Sequence, residues 1–223
     1  MKNLSRFKNK HGQVWLNVAS SSSLLEEFIN LDNHVVLYFL SIYPLIKWAV
    51  PRRYKDFFVQ YIQAKKRGLM VRHDCRKTLP FPDSSVDHIL CSHFLEHVYP
   101  DELTMIFGEF RRVLKKETTL HIIIPDLGFQ IERYVENKKL NLPQAADELI
   151  KGTLLCRQSR DSIKYQLLEF IGSFGLQHRW MYDYTSMAKR IKDVGFEILD
   201  SNETPSKDYR RNDYSVHIVA CKR

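Results

Sequence analysis

Short apolar runs set off by polar punctuation recur along the chain, and between several of them apolar residues return every three or four positions. The short runs read as strands at Val14–Val18, Phe28–Leu31, Leu69–Arg72, Val86–Cys91, Leu120–Ile124, Phe196–Asp200 and Tyr214–Cys221. Between Asp101 and Lys116, the residues Leu103, Ile106, Phe107, Phe110, Val113 and Leu114 repeat at helical spacing. Asp101 and Glu102 suit the amino end of that helix and Lys115 and Lys116 its carboxyl end, each completing the backbone dipole. A shorter helical pattern, "YTSMAKRIKDVGF", stops at Gly195, where a left-handed residue can end a helix. Alternation of the two patterns predicts one α/β domain over residues 1–223 with a largely parallel sheet.

Two segments exceed a minimal alternating sheet. Residues 33–68 form a helical insertion after the second strand, and residues 127–180 a helical region able to act as a lid over the strand tips. Within the first, residues 35–55 run from an aromatic and aliphatic stretch into Pro51–Arg52–Arg53. That stretch fits an interfacial helix with a basic shoulder, touching a membrane peripherally, or a helical cap packed over the site. It is too short and too interrupted to span a bilayer.

Charge changes the picture only partly. Thirty-four Lys and Arg against 26 Asp and Glu give a net charge of +8, which favours anionic partners without choosing among nucleic acid, membrane and phosphorylated substrates. Four cysteines without a CxxC pair, and an amino terminus with no apolar h-region, point to reduced thiols and a cytoplasmic setting.

In a parallel sheet, ligands gather outside the carboxyl ends of the strands. Those tips are polar here: Ala19–Ser20–Ser21, Asp32, His73–Asp74, Ser92–His93 and Pro125–Asp126. The stretch from His73 to Leu127 contains an acid, "LPFPD" at 79–83, "SVD" at 85–87, "HFLEH" at 93–97 and "RVLK" at 112–115. In these features it resembles the class I S-adenosylmethionine (SAM)-dependent methyltransferases of the small-molecule branch. "LNV…FINLD" and "HRWMYDYTSMAKRIKDVGFEI" resemble a subgroup associated with polysaccharide biosynthesis. The resemblance covers most of residues 14–221 and implies a Rossmann-like, seven-stranded, mostly parallel sheet with helices on both faces.

It also implies roles. Asp32 is the expected ribose ligand, Asp74 and the Cys75 backbone the expected adenine ligands, with Leu79 or Phe81 flanking the ring. The amino-acid tail is expected across Ala19, Ser20 and Ser21, near Ser92 and His93. The family's G-x-G turn is missing, and "KKETT" replaces its Pro-Gly-Gly, so glycine is lost twice. A side chain at a left-handed position there costs roughly 1–3 kcal/mol. For transfer to a hydroxyl, His93 and His178 are the candidate bases. Glu96 and His97 read as the start or support of the following helix. No metal site is expected. The implied function is methyl transfer to a hydroxyl of a glycan or another small acceptor. A catalytically silent methyltransferase-like scaffold and an RNA methyltransferase stand as alternatives, the latter against the absence of an Asn/Asp-Pro-Pro-aromatic motif at "IPDL".

Overall fold

A computed structural model of the chain describes residues 7–21, 23–34, 36–156, 177–199 and 214–223. Ser22, Val35, Asp200 and residues 157–176 of the expected lid lie outside the described residues. Seven strands, β1 Trp15–Val18, β2 Ile29–Asp32, β3 Met70–Arg72, β4 Val86–Ser92, β5 Leu114–Pro125, β6 Phe196–Ile198 and β7 Ser215–Lys222, form one sheet in the order β3-β2-β1-β4-β5-β7-β6. All neighbours are parallel except β7, which runs antiparallel to both β5 and β6. The helices are α1 Val36–Phe39, α2 Tyr43–Ile46, α3 Arg52–Lys66, α4 Leu103–Val113, α5 Leu127–Lys139, α6 Ala145–Thr153 and α7 Tyr184–Asp193.

Strand alternation sorts the sheet into two unlike faces. Leu16, Val18, Ile29, Leu31, Ile89, Cys91, Leu120, Ile122 and Ile124 share one buried core with Leu103, Ile106, Phe107 and Phe110 of α4 and with Met187 and Ile191 of α7. On the other face α3 packs by Met70 at the β3 edge, in a smaller cluster with Tyr61, Ala64 and Leu37. Beside it, Trp15 lies 5.2 Å from Phe28 and 5.9 Å from His88, and His121 and His217 continue the row across β5 and β7. Helices therefore flank both faces, but aromatic and imidazole rings cover the second one over β1 and β4.

Two elements differ from the sequence expectation. β5 begins at Leu114 rather than Leu120, because "KKETT" is no loose turn: Thr118 and Thr119 already pair with Lys222 and Cys221 of β7. The irregularity falls in the register with β4, between Val86 and His88. Within residues 33–68, α3 is the crossover that the parallel β2–β3 pair requires. Ahead of it, Val36, Leu37 and Leu40 are buried while Tyr38, Phe39, Ile42, Leu45 and Trp48 are exposed, the last at 81%.

Candidate active site

The first connection carries the largest departure from a regular α/β unit. Parallel strands ordinarily need a crossover of a dozen residues or more, usually a helix. Here β1 reaches β2 through residues 19–28, with no helix among the described ones. Buried amides hold this loop: Asn17 Nδ2 donates to Asn30 Oδ1 and to the Ser23 carbonyl, both at 2.8 Å. Asn30 in turn accepts from Leu25 N at 2.9 Å and donates to the Leu69 carbonyl at 3.1 Å. Ala19 (φ 53°) and Ser21 (φ 43°) both take left-handed backbone, the conformation for which glycine is suited. The same holds for Glu117 (φ 58°), at the second place where glycine is lacking.

Ser21 is clamped through its backbone alone. Its N–H donates to Asp32 Oδ2, and its carbonyl accepts from Tyr61 Oη at 2.8 Å. Asp32 Oδ1 accepts from His34 N at 2.6 Å, and burial raises the carboxyl above the ordinary range despite these bonds. A carboxylate offers about four acceptor positions, so with the Ser21, His34 and Asn33 backbone groups all turned toward it this half-buried acid keeps about one for a ribose hydroxyl. Asp74 is engaged by Arg76, which donates Nε to Oδ1 at 3.0 Å and Nη2 to Oδ2 at 2.9 Å. Burial raises Asp74, but the Arg76 hydrogen bonds and charge outweigh it and hold the carboxyl below its usual value. With Arg76 N also donating to Oδ1, one acceptor position remains, enough for an amine.

Cys75 is buried, and its thiol is pushed up to about 12 by that burial against the opposing Ala19 backbone contact. Leu79 and Phe81, expected beside an adenine, lie in the main core at 2% and 3% exposure. The "PFPD" turn directs them there because Arg112 gathers its carbonyls: Nη1 donates to Phe81 O at 2.9 Å and Nη2 to Leu79 O at 3.0 Å.

Beyond β4, His93 (φ 52°) turns the chain sharply. Its Nδ1 lies 3.2 Å from Glu96 Oε1, and its Nε2 lies 3.4 Å from Ser215 Oγ. Glu96 and His97 sit in a single 3₁₀ turn, Leu95–His97, six residues before α4 begins, and do not start that helix as the sequence suggested. Glu96 is 1% exposed, and neither carboxylate oxygen has a hydrogen-bond partner among the described residues. Arg179 N and Trp180 N donate to the Glu96 carbonyl at 2.7 and 3.1 Å, which brings His178 onto the same turn. His178 stacks edge-on against His97 with ring centroids 5.1 Å apart. The two candidate bases thus meet at one carboxylate, whose role pattern reading had missed; the adjacent "EH" dipeptide was its only signal.

Across β3, β2, β1 and β4 the tip residues form a row: Asp74, Asp32, the Ala19–Ser21 turn, then Ser92 and His93. Three strand spacings of about 4.8 Å make that row roughly 14 Å long. A family model described as a methyltransferase domain matches residues 56–122, from α3 into β5. A SAM-dependent methyltransferase of Thermotoga maritima superposes with a TM-score of 0.50 at 16% identity, over 99% of this chain and 88% of its own. Another, from Methanosarcina mazei, gives 0.51 at 17% identity over 94% and 92%. The fold is that of the class I methyltransferases. A protein of Pyrococcus horikoshii OT3 also superposes, at 0.51 and 19% identity, over 95% of this chain and 82% of its own. No curated protein sequence matches the chain. Within this methyltransferase fold, the short glycine-free first connection is the feature on which any use of the site depends.

Proposed function

We propose that the chain is a SAM-dependent methyltransferase acting on a hydroxyl of a small acceptor, a glycan by preference. The observation that carries this reading is the row of tip groups on four adjacent strands, with acceptor capacity left on both Asp32 and Asp74. Bound SAM supplies a methyl group on a positively charged sulfur. Asp32 accepts from a ribose hydroxyl, Asp74 from the adenine amine, and the Cys75 backbone meets the ring. His93 removes the acceptor proton, and Glu96, 3.2 Å from its Nδ1, stabilises the imidazolium that results. The glycan preference draws on the resemblance of the first and last strand regions to polysaccharide-biosynthesis enzymes.

The exposed Tyr38, Phe39, Ile42, Leu45 and Trp48, with Lys47 among them and Arg52 after them, form an apolar surface with basic neighbours. This composition suits peripheral contact with anionic lipid. Arg72, at the end of β3, lies 4.2 Å over the Tyr38 ring, so such contact would bring a lipid-linked acceptor near the strand tips. No helix among the described residues is long and apolar enough to cross a membrane.

A second reading, a non-catalytic scaffold, is favoured by one observation: the Ser21 N–H already occupies Asp32. Thermal unfolding with SAM or its demethylated product separates the two. At a hundred times the dissociation constant a ligand stabilises by about 2.7 kcal/mol, or roughly 5–11 °C at this size. The methyltransferase reading requires that shift in the native chain and its loss in Asp32→Ala. An unchanged melting temperature at millimolar cofactor leaves the scaffold reading standing.

A further inference from the structure

We infer that Glu96, His97 and His178 bind one divalent cation of the zinc class. Their ligand atoms all lie within 4.8 Å of one another, at the junction of the 3₁₀ turn after β4 and the segment entering α7. Three features of the three side chains point to an ion. Glu96 is almost wholly buried and both its carboxylate oxygens lack a hydrogen-bond partner among the described residues. His93 Nδ1 lies 3.2 Å from Oε1 without forming a hydrogen bond; a buried carboxylate lacking hydrogen bonds is costly, and a cation is a partner that would offset the cost.

The two imidazoles are set up as ligands by what their other nitrogens do. His97 Nδ1 lies 3.0 Å from the Gln177 carbonyl, and His178 Nδ1 lies 2.7 Å from the Thr153 carbonyl. A carbonyl can only accept, so each Nδ1 carries the proton and each neutral ring holds its lone pair on Nε2. Backbone carbonyls fixing the tautomer in this way are the usual support of metal-bound histidine.

Ligands around zinc at about 2.0–2.1 Å stand roughly 3.4 Å apart, so small side-chain rotations would close this cluster on an ion. Two histidines and one glutamate form a three-ligand set that leaves a coordination position open, as in catalytic zinc sites. His93 faces the same carboxylate, its Nδ1 3.2 Å from Oε1. At the open position the ion would lower the pKa of a coordinated acceptor hydroxyl or water. This last role rests on the methyl-transfer reading; the binding itself does not.

The test uses the untagged full chain, stripped with chelator and titrated with zinc sulfate by calorimetry, with zinc X-ray absorption on the loaded protein. One ion per chain is expected, with a shell of nitrogen and oxygen that includes two imidazoles and no sulfur. Losing even an outer-shell partner costs 10–100-fold in affinity, so Glu96→Gln and His178→Gln should each weaken binding by more than about 100-fold. Cys156→Ser, which removes the exposed thiol, should leave binding unchanged. No saturable binding below about 100 μM, where the free energy is only about 5.5 kcal/mol, overturns the proposal. So does undiminished binding in both variants. Should the variants fail to fold, the absorption spectrum of the native chain decides: sulfur in the shell, or fewer than two imidazoles, overturns it. Binding of the demethylated cofactor to stripped protein is measured in parallel. Its loss with zinc retained sinks the methyl-transfer reading and leaves the metal site intact.

Discussion

Replacing Ser21 by glycine should stabilise this protein, although glycine substitutions usually do the opposite. Ser21 has φ 43°, and its two anchors, the N–H to Asp32 and the carbonyl from Tyr61, are backbone groups that glycine retains. Its side chain is exposed, so little packing is lost. Left-handed backbone costs a side-chain-bearing residue about 1–2 kcal/mol, while glycine loses about 0.5–1 kcal/mol more than alanine in ordering. The difference leaves roughly 0.5–1 kcal/mol in favour of Ser21→Gly, a rise of about 1–4 °C in melting temperature at this chain length. Ser21→Val should move the other way, since a β-branched side chain tolerates this backbone worst. Ala19→Gly should be close to neutral, because the Ala19 methyl packs against the main core and its loss offsets the relief of strain. Glu117→Gly, at φ 58° in the irregular first part of β5, should gain like Ser21→Gly, losing only an exposed ion pair to Arg223. Calorimetric or denaturant unfolding of the four variants reads these effects. Destabilisation of Ser21→Gly together with tolerance of Ser21→Val would show that the turn is not left-handed and would remove the strain argument.

Acid should unfold the protein early. His88 and His121 are both lowered to about 4, chiefly by burial, with His217 and His88 adding to the effect on His121. The unfolded chain, with histidines near 6.5, binds more protons between pH 6.5 and 4, so stability falls as pH drops through that window; at pH 5 each group accounts for about 2 kcal/mol. His121→Asn should flatten the slope of unfolding free energy against pH between 6.5 and 5, and an unaltered slope would count against a buried neutral ring. For the membrane surface, co-sedimentation with vesicles containing anionic lipid should fall in a Leu45→Ser, Trp48→Ser double variant and at high salt, with melting temperature unchanged. Equal sedimentation of variant and native chain would remove residues 35–55 from any lipid contact.

Most of the frame could be read from the sequence because burial imposes period. Leu103, Ile106, Phe107, Phe110 and Val113 repeat every three or four residues and are all buried, since one stripe of α4 must face the sheet. The strands were legible because each is buried on at least one face. The limits of β5 were not, because its early pairing partner, β7, lies about a hundred residues later and leaves no local trace. The tips at Asp32, Asp74 and His93 could be located from strand ends alone. What Asp32 and Asp74 already hold was hidden, because Ser21 N–H and Arg76 become their donors only through a particular turn. The site around Glu96 was harder still: His178 reaches it through a backbone contact across more than eighty residues.

The lack of a first helix among the described residues also dictates how a cofactor's amino-acid tail can be held. A helix opening just after β1 would present free N–H groups and a positive dipole end to the tail carboxylate. In its place stands a turn in which two described donors are spent: Ser20 N is taken by the Leu31 carbonyl at 2.9 Å and Ser21 N by Asp32. The Ser20 hydroxyl, buried and unpartnered among the described residues, is a single neutral donor. Two backbone bonds to a charged group contribute about 3–6 kcal/mol together, a factor well above a hundred in affinity; without them the tail adds little. Calorimetry should therefore find 5′-methylthioadenosine, which lacks the tail, binding within about tenfold of S-adenosylhomocysteine, a gap of 1.4 kcal/mol or less. A preference of more than about a hundredfold, or 2.8 kcal/mol, for the tailed compound would mean that the Ser20 and Ser21 N–H groups leave their present acceptors when cofactor arrives. Asp32 would then release its clamp on the turn in the same step that it takes up the ribose.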